Sequence, residues 1–122
     1  MTRENFVQGI SVAVQAAGVR ATLQDLRDAG SLASPWRTDL SAWFNQLPEK
    51  EAEMVNRAVR LAVDVSVFGF LCVLDGVRVI EQGEDKGEIK LTYTKHGEEV
   101  RLNGWDGGLD LHDIFQDYIR TL

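Results

Sequence analysis

The side chains able to do chemistry are few, and their neighbours say little for them. Cys72 is the lone cysteine, His96 and His112 are the two histidines, and Asp64 interrupts an otherwise apolar run. A reactive thiol needs partial exposure and a positive neighbour that favours the thiolate. Cys72 sits in FGFLCVL, among bulky apolar residues, so structural burial is the expectation. One cysteine also excludes an intrachain disulfide framework and any multi-thiolate metal site. A catalytic histidine needs a nucleophile within hydrogen-bond reach and a carboxylate to orient it. No local motif supplies these, and Gly-x-Ser-x-Gly is absent. His96 reads as a turn residue, and His112, beside Asp113, as a surface residue near an acidic helix start.

The stretch NGWDGGLDLHD offers Asp106, Asp110, His112 and Asp113 as ligand types. A calcium loop of the EF-hand type requires oxygen donors at alternate positions, a glycine at the sixth and a closing glutamate. Here Asp106 and Asp110 are separated by Gly107, Gly108 and Leu109, and no such glutamate follows. The stretch therefore reads as a glycine-rich turn feeding a capped helix, with no metal and no cofactor. Gly104, Gly107 and Gly108 lack the lysine of a phosphate loop and the βαβ context of a dinucleotide fingerprint. Asp64 must be paired, hydrogen-bonded or partly exposed. Arg60, four residues earlier, is the partner its helical spacing suggests. One carboxylate without a second titrating group defines no reaction, so no catalytic residue is assigned.

The elements that would position these residues divide the chain by texture. Residues 1–74 run in long helical stretches, whereas 75–104 hold Gly76, Gly83, Gly87, Gly97 and Gly104 among short β-compatible runs. A single α+β domain over 1–122 is expected: a mostly helical N-terminal part with a long central helix, then a β-hairpin or small antiparallel sheet and a C-terminal helix. The first helix should start at Thr2, with Phe6, Ile10, Ala13, Val14 and Ala17 on one face and Gly18 as a stop or bend. A second should run from Ala21 to Asp28 with Gly30 as its end signal. After the connector SLASP, a third should open around Thr38 or Asp39 and carry Leu40, Trp43, Phe44 and Leu47 as its stripe. Pro48 suits the first turn of a fourth, which becomes apolar nearly all round beyond Leu61 and ends at Asp75-Gly76. A helix apolar on all faces is expected to be buried on all faces. VRVI after Gly76 fits a strand or a helical tail, and EQGEDKGE a loop. Glu88 to Thr94 alternates as a strand, Lys95 to Glu98 forms a tight connection, and Glu99 to Asn103 returns. The last helix carries Leu111, Ile114, Phe115, Tyr118 and Ile119 inward, capped by Asp110.

Composition sets the remaining bounds. The chain has 122 residues, 44% apolar, with 13 Lys and Arg against 19 Asp and Glu for a net charge of −6. Such a chain is not disordered and has no broad basic surface for nucleic acid. The run Leu61 to Leu74 has 14 residues and includes Asp64 and Ser66, short of a membrane span. The N-terminus is too polar for a secretory signal, so a cytoplasmic protein is expected. The negative charge is uneven: residues 1–74 carry 8 acids and 7 bases, residues 75–122 carry 11 and 6. Glu81, Glu84, Asp85 and Glu88 fill one loop, Glu98 and Glu99 flank the turn, and Asp106 follows Trp105. Ordinary solubility accounts for such a run. The sharper reading is a face that steers a basic protein partner, with Trp105 as an anchor.

The run FGFLCVLDGVRVIEQGEDKGEIKLTYTKHGEEVRLN, followed by LHDIF, resembles small, poorly characterised bacterial cytoplasmic proteins. Among proteins of this size and acidity are immunity proteins, which bind and block a toxin delivered by a neighbouring cell. The resemblance covers Phe68 to Phe115, implies only a non-enzymatic inhibitor and assigns no residue. Taken with the charge asymmetry, the leading expectation is an inhibitor that binds a basic toxin domain through the acidic C-terminal face. The competing class is a small enzyme or ligand-binding domain with a pocket between helices and hairpin, lined by Asp64, Trp43 or Tyr93. A third class is a homo-oligomer in which the hairpin edge or the 61–74 helix completes its burial across a symmetric interface.

Overall fold

The computed structural model describes residues 1–104 and 108–121. The fold is α+β, as the sequence texture predicts. Helix α1 (Arg3–Ile10) passes through a π-helical segment (Ser11–Ala16) directly into α2 (Ala17–Arg27). Helices α3 (Pro35–Asn45) and α4 (Glu49–Leu74) follow, then strands β1 (Thr92–Lys95) and β2 (Glu98–Arg101), and α5 (Leu111–Arg120). Among the described residues, no helix is long and apolar enough to cross a membrane.

Helix starts follow local chemistry. Thr2 caps α1, its hydroxyl accepting the Asn5 N–H at 3.0 Å. The third helix begins earlier than expected, because Pro35 occupies its first turn, where the missing N–H forfeits no bond, and Ser34 supplies the extended residue before it. Gly18 neither stops nor bends the chain. It lies inside α2, and a Cβ built there would meet Val63 Cγ1 at 3.6 Å, an ordinary contact. Gly18→Ala is therefore expected to raise stability by roughly 0.5–1 kcal/mol, the helix-interior penalty of glycine; an unchanged or lower urea midpoint would refute it.

The π segment also explains why the buried face of the first helix is not the one a 3.6-residue period selects. Val7, Ser11, Gln15 and Val19 are buried, while Ala13 and Val14 are exposed. The wider i→i+5 turns bring residues four apart closer to one line. Ser11 satisfies its hydroxyl on the Val7 carbonyl at 3.0 Å. Gln15 donates through Nε2 to Asp64 Oδ1 at 2.8 Å. This cross-helix hydrogen bond from an amide, rather than an Arg60 ion pair, holds the half-buried Asp64.

The core lies where α1, the C-terminal half of α4 and α5 meet: Val7, Val67, Leu71, Leu111 and Phe115, with Leu91 of the hairpin packed against them. Helix α5 keeps the stripe expected of it, Leu111 and Phe115 being fully buried. Helix α3 packs on α2, which in turn packs on α4. Asn45 Nδ2 donates to the Arg27 carbonyl at 2.9 Å, satisfying an acceptor at the end of α2.

The central helix departs from expectation. At 26 residues it is about 39 Å long, and its neighbours cover only part of it. Val67, Leu71 and Cys72 are buried, but Leu61 is 64% exposed and Val65 59%. On α3, Phe44 is buried, whereas Trp36 and Trp43 remain largely exposed. Apolar composition all round a helix calls for covering on all sides, and one chain of this length does not provide it. The end of α4 follows the Schellman pattern. Gly76 takes φ +78°, its N–H meets the Val73 carbonyl at 3.1 Å, and the Val77 N–H meets the Cys72 carbonyl at 3.0 Å.

The VRVI run is neither strand nor helix. The hairpin pairs Lys95 with Glu98 and Tyr93 with Val100. Its two-residue turn has His96 at φ 52° and Gly97 at φ 80°, the positive-φ pair that matches strand twist. The pairing is shorter than the alternation suggested, and Ile89 is exposed rather than inward.

Candidate functional site

Two arrangements at the C-terminal end of α4 carry polar chemistry. The first is a buried junction. Asp75, the residue that ends α4, aims its carboxylate at the start of α5. Oδ2 accepts the His112 N–H at 2.8 Å and Oδ1 the Leu111 N–H at 3.2 Å. His112 Nδ1 lies 2.6 Å from Asp75 Oδ2. An anion at a helix N-terminus satisfies orphan N–H groups and complements the dipole. Asp75 thus does from a distance what Asp110 was expected to do locally; Asp110 holds the N-cap position without a side-chain capping bond. The Asp75 side chain is 1% exposed and that of His112 15%, so His112 is not a surface residue. The Phe68 ring stands edge-on to the imidazole, 5.7 Å between centroids.

This junction gathers residue types that metal and acid–base sites use. Asp110, His112 and Asp113 have ligand-capable atoms within 4.8 Å of one another. They cluster at the positive end of a helix, a poor place for a cation. The other imidazole nitrogen lies 3.5 Å from Asp113 Oδ1. Cys72 is buried, and burial pushes its thiol up from the ordinary value, with Arg78 acting in the opposite direction. A thiol held protonated is a packing group, not a nucleophile.

The second arrangement is a cleft of about 600 Å³ between the end of α4 and the 81–88 loop, lined among others by Arg78, Val79, Ile80, Glu81, Glu88 and Ile89. Its floor is fixed by Asn103, which is 2% exposed. Asn103 Oδ1 accepts the Leu91 N–H and Arg101 Nε, each at 2.8 Å. Nδ2 donates to the Leu74 carbonyl at 2.5 Å and the Ile89 carbonyl at 2.8 Å. Backbone groups of fixed polarity dictate this amide orientation. The rim is braced as well. Glu81 Oε2 accepts the Gly87 N–H at 2.7 Å, and Arg101 Nη2 meets Glu88 Oε1 at 2.9 Å.

Of the acidic residues singled out in the sequence, Glu81 and Glu88 line this cleft. Glu84 and Asp85 are exposed on the same loop. Glu98 lines a separate hollow of about 240 Å³ with Met1, Tyr93 and His96, and Glu99 is exposed on the same strand. Trp105 and Asp106 lie outside the described residues. Sequence reading missed the apolar middle of the acidic side. Val77, Val79 and Ile80 are each more than half exposed, and Ile89 is 40% exposed. The signal was the VRVI run, whose apolar residues belong to no regular element and so have no core to enter.

No protein-family model, curated protein or solved structure matches the chain.

Proposed function

We propose that this chain is a non-enzymatic binding protein that docks a basic protein domain on its cleft side, most simply as an immunity-type inhibitor of a toxin. The observation that carries this reading is the exposed apolar centre of Val79, Ile80 and Ile89 beside Glu81 and Glu88, with Glu84 and Asp85 exposed on the same loop. Specific interfaces pair a water-excluding apolar centre with a polar rim. The rim is mixed, Arg78 and Lys86 standing with Glu81 and Glu88, but with Glu84 and Asp85 on the same loop acids outnumber bases. A net negative rim steers a basic partner and raises its encounter rate. The Asn103 bonds and the braced loop preorganise this side, so little ordering entropy is lost on docking.

The test is a panel of purified bacterial toxin domains, basic and acidic, passed over immobilised wild-type chain and over a variant carrying Glu84→Lys, Asp85→Lys and Glu88→Lys. A basic domain should bind the wild type, and the reversal should slow association about 10-fold or more at low salt and flatten its salt dependence. Ile80→Ala should instead speed dissociation. Binding whose rate ignores the charge reversal would overturn the acidic-rim reading.

A further inference from the structure

The exposed residues of α4 are not scattered. Met54, Ala58, Leu61 and Val65 are all open to solvent, and their spacing of four, three and four is the alternation of a two-helix seam. Single exposed apolar residues are ordinary on a monomer, but a regular row along one helix face is a packing surface. Ala58 and the exposed Ala62 keep the middle of the row low, which lets a second helix approach closely.

We infer that this face is the two-fold interface of a homodimer, with α4 packed against α4 of a second copy in antiparallel register. Charge decides both the occupant and the direction. Arg57 and Asp64 stand seven residues apart, each immediately before a seam residue, and so border the seam on the same side. In an antiparallel pair that border faces its own copy, and Arg57 of each chain meets Asp64 of the other, twice by symmetry. In a parallel pair the same charges would face Ala62 and Gly69, and nothing would be gained. The antiparallel register also sets Met54 against Val65 and Ala58 against Leu61, so that large side chains fill the space above small ones. Arg57 is available, its side chain being 70% exposed and 3.6 Å from Glu53. Asp64 is held at the edge of the seam by Gln15. This surface is separate from the acidic cleft and does not depend on the reading of it.

Sedimentation equilibrium of the full chain over a concentration series tests the inference. The expected mass is twice the 13.6 kDa of the chain. Leu61→Glu, at a position open to water in the monomer, should keep the circular dichroism of the wild type and raise the dimer dissociation constant about 100-fold, since two symmetric leucines lose their apolar contact. Arg57→Asp and Asp64→Arg should each weaken the dimer, and the double swap should restore it. A chain monomeric at every concentration overturns the inference and leaves the face to another protein or a lipid surface. A dimer untouched by Leu61→Glu overturns it too, and a dimer that the double swap fails to restore overturns the antiparallel register.

Discussion

Asp75→Ala is expected to lower the stability of this protein by about 3–5 kcal/mol, because three polar groups lose one shared partner and each stranded buried group costs about 1–3 kcal/mol. The substitution strands the Leu111 and His112 N–H groups and the His112 imidazole together, all at the start of α5. Helix α5 contributes two of the five central core residues, so its loss opens the core. Against a typical total of about 5–15 kcal/mol, such a loss is a large fraction. Asp75→Asn keeps an acceptor for the backbone and should cost less. His112→Ala leaves both backbone bonds in place and should cost about 1.5–3 kcal/mol, the scale of one hydrogen bond to a charged group. Urea unfolding of the three variants checks the ordering; an alanine variant at position 75 within 1 kcal/mol of wild type would show that water or Asp110 replaces the cap.

Asn103→Ala should rank next, with a loss of about 3 kcal/mol. It leaves the Leu74 and Ile89 carbonyls and the Leu91 N–H without their side-chain partner, and a stranded buried group costs about 1–3 kcal/mol. Ile89 is partly open to water, which limits its share. The decisive companion is Asn103→Asp, nearly identical in shape. It retains the acceptor for Leu91 but turns a second acceptor toward two carbonyls, so it should destabilise at least as much as alanine. If the aspartate variant unfolds at the wild-type midpoint instead, the site contributes packing and not hydrogen bonding.

These two side chains mark where sequence reading stops. Within single elements it did well, because the determinants are local: the Thr2 cap, the inward stripe of α5, the His96-Gly97 turn and the Gly76 terminus each depend on residues a few places apart. It missed the Asp75 clamp and the Asn103 bonds because their partners lie dozens of residues away or on another element, and no periodicity encodes them. Pro35 was read for its effect on the preceding residue when its suitability for a first helical turn mattered more. Leu61 and Val65 were assigned to the core because hydropathy reports a need for covering, not who supplies it. The same holds at the candidate site. The acidic rim was visible as composition, while its apolar centre emerged only once VRVI proved to join no strand or helix.

The π-helical segment makes the first helical stretch sensitive to length in a way its side chains are not. One residue is worth about 100° of rotation in an α-helix. The stretch at Ser11–Ala16 acts as a phase adjuster, matching the angular setting of the turn that carries Val7 to that of the turns that carry Val19 and Leu26. Substitutions at its outward positions, Val12 and Ala13, leave that phase alone, whereas excising either residue would swing the N-terminal turn through more than a quarter circle. Side-chain replacement at these sites should therefore be tolerated where a one-residue deletion is not.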